Sequence, residues 1–177
     1  MRHILALLVL FSSVVSAGSS ITVVNTPPPI DIEMVNRIWN YVKKETSAPD
    51  DLPSPSIVMD WEVPPIAKMG FQFPTEEYPK NISQISIAPR TVDMWPQDMI
   101  SWGIGHEITH YVFLMRENDW NTEKKIFVNK LKHHCNKEFI KITKGIADLI
   151  YSTYHSDIDR RKMYDEVMMS CRIHPEQ

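Results

Sequence analysis

The apolar positions of the first half of the chain change between helical and strand-like spacing. Between residues 31 and 45 they recur every three or four positions, which predicts an amphipathic helix. The segments 56–61 and 82–88 are short, rich in isoleucine or valine and bounded by turn-forming residues, which predicts two strands. Phe71 and Phe73 indicate a further short strand within a segment that proline otherwise interrupts.

The second half of the chain has helical periodicity almost throughout. It predicts a helix over 96–117, with Asp93 as its cap and Pro96 in its first turn. A polar break at 118–121 separates this helix from a second long helix over 122–154, and a third helix is predicted over 157–171. We therefore expect an α+β domain, in which a small mixed sheet packs on helix 96–117 and a mostly helical C-terminal half follows.

The strongest chemical signal lies in the middle of helix 96–117. There the chain has the sequence His-Glu-Ile-Thr-His at 106–110, which is the pattern H-E-x-x-H. Residues four apart lie on one face of a helix, so His106 and His110 can bind the same metal ion. Glu107 then lies close enough to act as general base toward a water molecule at the metal. The pattern predicts a zinc site.

A catalytic zinc ion usually has three protein ligands, so one more must come from elsewhere in the chain. On a continuous helix 122–154 the apolar face passes through Phe127, Leu131 and Ile142. His134 and Glu138 lie on or beside that face, and His133 lies opposite it, toward solvent. We expect His134 to be the third ligand, with Glu138 as the alternative.

The N-terminus resembles a signal for export. A basic start at Arg2 and His3 precedes about a dozen apolar residues, and small residues end at Ala17. We expect a signal peptide over 1–17, a single domain over 18–177, and a secreted or periplasmic protein; an uncleaved membrane anchor is the alternative. The formal net charge of −3 disfavours nucleic acid as a partner. We expect a monomer that has no membrane association after signal cleavage.

The two cysteines of the chain, Cys135 and Cys171, can pair in an oxidising compartment. This disulfide would tie the C-terminal segment to the second long helix. The alternatives are that Cys135 is a zinc ligand beside His134, or that both cysteines are free thiols.

The region from Gly105 to about Ile142 resembles the zincin metallopeptidases. Phe113 and Arg116 stand where the metzincin pattern has Gly and His, and Lys130 stands where the thermolysin pattern has its Glu. The SprT-like and minimal gluzincin-like proteases are the most similar subgroups. The SprT-type pattern continues with His-Gly-x-x-Phe; here Cys135 replaces the glycine, and Phe139 comes one position late.

This resemblance implies that the motif helix packs under a sheet whose edge strand binds an extended peptide substrate, and segment 82–88 is the expected edge strand. It implies a zinc metalloendopeptidase that hydrolyses peptide bonds. Candidate donors to the oxyanion are Tyr151, Tyr154, His155 and Tyr164. The alternatives are an exported zinc-binding or degenerate zincin domain with a structural or binding role, and a domain without metal.

Overall fold

The computed structural model describes residues 21, 23–24, 30–60, 69–72, 74–76, 79 and 83–155. Within these residues it has four short strands and five helices. The strands are β1 (Val23–Val24), β2 (Ser56–Met59), β3 (Met69–Gln72) and β4 (Gln84–Ile87). The helices are α1 (Ile32–Thr46), α2 (Pro89–Met94), α3 (Gln97–Glu117), α4 (Glu123–His133) and α5 (Lys137–Tyr154). The predicted helix 157–171 lies outside the described residues.

The four strands form one mixed sheet in the order β1-β2-β4-β3. Strands β1, β2 and β4 are parallel, and β3 pairs with β4 in the antiparallel direction. Ile85, Ser86 and Ile87 of β4 are all buried, as expected for a strand that has neighbours on both sides. The prediction of an α+β fold with a small mixed sheet is confirmed. The prediction that segment 82–88 is an edge strand is wrong, because β3 occupies that edge.

Helix α3 is the centre of the helical layer. Its residues from Ile100 to Leu114 are almost all buried, since α1 and α5 pack on it and the sheet contacts it as well. The predicted range 96–117 is confirmed within a residue. Its predicted cap is wrong: Asp93 belongs to α2, and Pro96 stands at the N-cap position of α3 with no side-chain cap.

Helices α1 and α5 are fixed to each other near their ends. The Asp31 side chain caps α1 by accepting from the backbone N–H of Met34, and its Oδ2 accepts from the hydroxyl of Tyr154 at 2.5 Å. One carboxylate therefore stabilises the start of α1 and holds the last turn of α5 against it. Both helices then present their apolar faces to α3.

The predicted continuous helix 122–154 is wrong, because the chain turns at residues 134–136. Helix α4 ends at His133, and the Asn136 side chain caps α5 by accepting from the backbone N–H groups of Glu138 and Phe139. An asparagine at the N-cap satisfies donors that a continuous helix would bond internally, so it favours a new helix start. Because α4 and α5 are separate helices, the buried side of α5 does not have to continue the buried side of α4 around one helix axis.

Close helix packing requires Gly105, immediately before His106. A Cβ atom at this position would lie 2.9 Å from Cγ2 of Ile146 and 3.0 Å from Cγ2 of Ile38, both of which are held in the core. At Gly103 a Cβ atom would lie 2.8 Å from the end of the flexible Met69 side chain and at an ordinary contact distance of 3.5 Å from Cζ3 of Trp95. The two glycines therefore differ in what a methyl group would displace.

We predict that Gly105→Ala lowers the free energy of unfolding by about 1–3 kcal/mol, because α1 or α5 must move away from α3. Gly103→Ala is the matched control. We expect it to be neutral or to stabilise by up to ~1 kcal/mol, since alanine has the higher helix propensity and Met69 can move. Urea denaturation of both variants measures the difference, and equal stability would contradict the packing described for α3.

Candidate metal centre

Three imidazoles converge beside the middle of α3. The Nε2 atom of His110 lies 3.1 Å from Nε2 of His106 and 3.0 Å from Nε2 of His134, and the last two atoms are 3.1 Å apart. His106 and His110 come from adjacent turns of α3, and His134 comes from the end of α4. The three residues are close enough to bind one metal ion.

The three imidazoles are neutral near pH 7, so their ring nitrogens have lone pairs that can bind a cation. Burial lowers the pKa of His106 to about 4 and that of His134 to about 3, and it lowers the pKa of His110 well below its ordinary value. The rings are therefore neutral near pH 7, and hydrogen bonds alone cannot satisfy three such atoms facing one another. A metal ion accepts all three lone pairs, and tetrahedral zinc at ~2.0–2.1 Å would separate its nitrogen ligands by about 3.3 Å. Three neutral imidazoles at this spacing are a donor set that can hold one metal ion.

The turn after α4 brings His134 into this cluster. The inward face of α4 contains Ile126, Asn129 and His133, with Lys130 and His134 beside them. These positions recur with helical periodicity, and Phe127, which lies about 100° around the helix from Ile126, is 64% exposed. The prediction that placed Phe127 on the buried face is wrong, because it assumed a single helix through residues 134–136.

The prediction of one continuous helix over 122–154 also placed His133 in solvent, which is wrong. His133 is buried, with 2% exposure, and its Nδ1 atom lies 3.1 Å from Nδ1 of His110. Its Nε2 atom lies 2.9 Å from Oε2 of Glu117. The spacing Ile126, Asn129 and His133, taken with the cap signal at Asn136, could have revealed this face if the segment had been divided there.

Glu138, the alternative third ligand, points elsewhere. Both of its carboxylate oxygens accept from the guanidinium of Arg116, at 2.8 and 2.9 Å, and the pair is partly exposed. Such a bidentate pair leaves the carboxylate engaged outside the imidazole cluster. Of the two candidates, the structure brings His134 to His106 and His110 and does not bring Glu138 there.

Glu107 forms an ion pair with a residue that the sequence did not single out. Its Oε2 atom accepts from Nζ of Lys130 at 2.7 Å, and the two side chains are 12% and 22% exposed. Burial acts to raise the pKa of the Glu107 carboxyl, but the Lys130 ammonium and His106 outweigh it, so the pKa lies below its ordinary value. Glu107 is therefore a carboxylate beside the cluster.

Phe139 forms an apolar wall against the histidines. Its ring is fully buried, and its centroid lies 5.4 Å from the ring of His106, 4.6 Å from His110 and 5.6 Å from His134. It also stacks on His133 at 5.9 Å. The ring restricts the orientations that the imidazoles can take and keeps water from that side, which strengthens electrostatic interactions within the site.

The proposed oxyanion donors are not assembled at the cluster in the described residues. Tyr154 donates its hydroxyl to Asp31, Tyr151 is partly exposed on α5, and His155 is exposed at the end of that helix. Tyr164 lies outside the described residues, as does Cys171. The disulfide between Cys135 and Cys171 therefore stays a prediction, and Cys135 lies in the turn directly after His134.

No protein-family model matches the chain, and no curated protein or solved structure shows significant similarity to it. Among the helices that the structure describes, none combines the length and the apolar character needed to cross a membrane. The predicted signal peptide over 1–17 lies outside the described residues.

The lowered pKa values predict how the metal-free protein responds to acid. Between pH 6.5 and about pH 4, the unfolded chain takes up protons on these imidazoles and the folded chain does not, so stability falls as the pH falls. Each histidine that stays neutral contributes at most about 1.4 kcal/mol per pH unit. Thermal melting of the chelated protein from pH 7 to pH 4.5 should show this loss, and His106→Leu should reduce it.

Exposed His155 offers the matched control for this experiment. His155→Leu removes an exposed imidazole and keeps the buried cluster intact, so its melting curves are the reference for those of His106→Leu. A chelated wild type that melts at the same temperature from pH 7 to pH 4.5 would contradict the burial of neutral imidazoles.

Proposed function

We propose that this protein is a secreted or periplasmic zinc-dependent metallopeptidase that hydrolyses peptide bonds. The convergence of three Nε2 atoms beside the Glu107 carboxylate carries the proposal. Three histidines with no fourth protein ligand are the usual composition of a catalytic rather than a structural zinc site. Within the described residues, the cluster of possible metal ligands contains these three histidines alone.

In this proposal His106, His110 and His134 hold the ion through their Nε2 atoms. The ion, when bound, supplies Lewis acidity, which lowers the pKa of water toward neutrality and polarises a carbonyl group. The low pKa values of the imidazoles keep their lone pairs available for the ion near pH 7. Phe139 closes one side of the site and leaves the histidines in an apolar setting.

Glu107 is the proposed general base. It would take a proton from the attacking water and then donate it to the leaving amine nitrogen, so the same carboxylate ends the cycle ionised. Lys130 binds Oε2 of Glu107 and thereby restricts the orientation of the carboxylate. The ammonium also keeps Glu107 ionised before the reaction begins, which a base requires.

Strand β3 is the proposed place for an extended substrate. It lies at one edge of the described sheet, antiparallel to β4, and it contacts α3. An edge strand has backbone groups that can pair with a peptide, which would align the peptide along the sheet next to the motif helix. Residues 69–72 therefore take the role that the sequence had assigned to segment 82–88.

A non-catalytic zinc-binding module is the second candidate. The ion pair between Glu107 and Lys130 favours it, because a carboxylate held by an ammonium is a weaker base than a free one. In that case the three histidines would bind zinc to stabilise the packing of α4 on α3, with no turnover.

We predict that Glu107→Gln binds zinc as tightly as the wild type and loses peptide hydrolysis by at least about 10²-fold, because the amide cannot accept the proton. Cleavage of a quenched fluorescent peptide library, with zinc measured in the same samples, tests this. Equal turnover by the variant would show that Glu107 is not the base. A wild type that binds zinc and cleaves none of the library would favour the non-catalytic module.

Zinc content distinguishes the third ligand. We expect one zinc per wild-type chain, and we expect its loss in His110→Ala and in His134→Ala, because each removes one of three ligands. Glu138→Ala is the control, since its carboxylate binds Arg116 and should not affect the metal. Elemental analysis of the dialysed proteins gives the ratio, and zinc loss in Glu138→Ala alone would reverse the assignment.

A further inference from the structure

His110 differs from the other two histidines of the cluster in what its second ring nitrogen contacts. The Nδ1 atoms of His106 and His134 are buried and have no hydrogen-bond partner among the described residues. Nδ1 of His110 instead lies 3.1 Å from Nδ1 of His133. Only this imidazole of the three is therefore held on both sides by polar contacts within the described structure.

The contact continues beyond His133 to a carboxylate. Nε2 of His133 lies 2.9 Å from Oε2 of Glu117, the last residue of α3. The imidazole of His133 is 2% exposed and the Glu117 side chain is 37% exposed, so the three groups lead from the buried cluster toward the surface. His133 also contacts two aromatic rings: Phe113 in a T-shaped arrangement with a centroid distance of 5.2 Å, and Phe139 in a stacked one at 5.9 Å. The two nitrogens of His133 are therefore its polar contacts.

The chemistry of the donors and acceptors determines where each proton lies. If Nε2 of His110 faces the metal, its remaining proton is on Nδ1, and this N–H donates to Nδ1 of His133. Nδ1 of a neutral His133 is then an acceptor, so its own proton is on Nε2, and that N–H donates to Glu117. Each ring nitrogen therefore has one role, and the carboxylate at the end can only accept.

We propose that Glu117 and His133 form, with His110, a hydrogen-bonded chain that fixes the tautomer and ring orientation of His110 and thereby sets the affinity of the metal site. His133 and Glu117 are positioning residues, since neither touches the metal in this arrangement. The proposal rests on the proposed zinc site and is independent of whether that site hydrolyses peptides. Outer partners of a metal-binding histidine typically change metal affinity by ~10–100-fold when they are removed.

A second metal ion between His110 and His133 is the competing use of the same atoms. Their two Nδ1 atoms are 3.1 Å apart, a separation that a shared ion could also produce. Glu117, however, contacts the far nitrogen of His133, so it does not complete a ligand set on the near side. A hydrogen bond satisfies both nitrogens with no further ligand, and one zinc per chain is the result expected from it.

Two substitutions of His133 separate its hydrogen bond from its volume. His133→Phe fills the space between Phe113 and Phe139 and removes the acceptor. His133→Asn has an amide oxygen the same number of bonds from Cα as Nδ1, so it can still accept from His110. We expect zinc affinity, measured by competition with a chromogenic chelator, to fall by ~10–100-fold in His133→Phe and to recover largely in His133→Asn.

Glu117→Gln and Glu138→Gln form the matched pair at the carboxylate end. Both remove one negative charge from this region of the surface, but only Glu117 contacts His133. We expect Glu117→Gln to weaken zinc binding and Glu138→Gln to leave it unchanged. Equal effects in the two variants would show that only the surface charge matters, and this would overturn the proposed chain.

The tautomers themselves can be observed in the wild type, which keeps the test independent of how any variant folds. Long-range nitrogen–proton correlation spectra of the zinc-loaded protein should place the proton of His110 on Nδ1 and that of His133 on Nε2. A proton on Nδ1 of His133, two zinc ions per chain, or His133→Phe with wild-type affinity would overturn the chain and leave the zinc site intact. A wild type that binds no zinc would overturn the proposed function together with it.

Discussion

Three imidazole nitrogens lie within about 3 Å of one another in a setting that keeps all three rings neutral, and the packing of α3, α4 and α5 around them has to maintain that arrangement. Lone pairs so close together repel unless a cation or a proton lies between them. The surrounding chain holds them there in spite of this. Gly105 lets α3 approach α1 and α5, the turn at 134–136 directs His134 inward, and Phe139 covers the rings.

The two carboxylates near the cluster, those of Glu107 and Glu117, each have a partner. Glu107 forms an ion pair with Lys130, which balances its charge, and Glu117 contacts His133. If a divalent ion is bound, its protein ligands are neutral imidazoles. The Glu117 carboxylate contacts His133, which in turn contacts His110, so it does not bind the ion directly. An ion in such a site keeps most of its positive charge, which is the electrostatic condition for polarising a bound ligand.

Local sequence signals were sufficient for the parts of this structure that depend on local interactions. The helix with His106 and His110, the helix capped by Asp31 and the central strand at Ile85 and Ile87 are at their predicted places. The errors come from features that a single periodic pattern cannot express. A single helix over 122–154 would have one continuous buried face, whereas α4 and α5 each have their own. The single-helix prediction therefore placed His133 in solvent and Phe127 in the core, and the structure has the reverse.

Other features depend on contacts between distant segments. The position of β4 inside the sheet results from the pairing of β3 on its outer side, and 82–88 alone contains no information about that pairing. The contact of Lys130 with Glu107 likewise depends on the angle at which α4 crosses α3. A lysine on a helix usually lies in solvent, so the residue type at position 130 gave no sign of the contact with Glu107.

The composition of α4 has a consequence for local unfolding. Ile126 is the one apolar side chain of this helix that is buried in the described structure, and its other buried residues are Asn129 and His133. Helices with few buried apolar groups open at a lower free energy than the core. Polar contacts to α3 therefore contribute much of what holds α4 in place. The amide protons of α4 would then exchange with solvent at a rate that depends on whether a metal ion occupies the histidine cluster. Those of α1, α3 and α5 would stay protected from exchange.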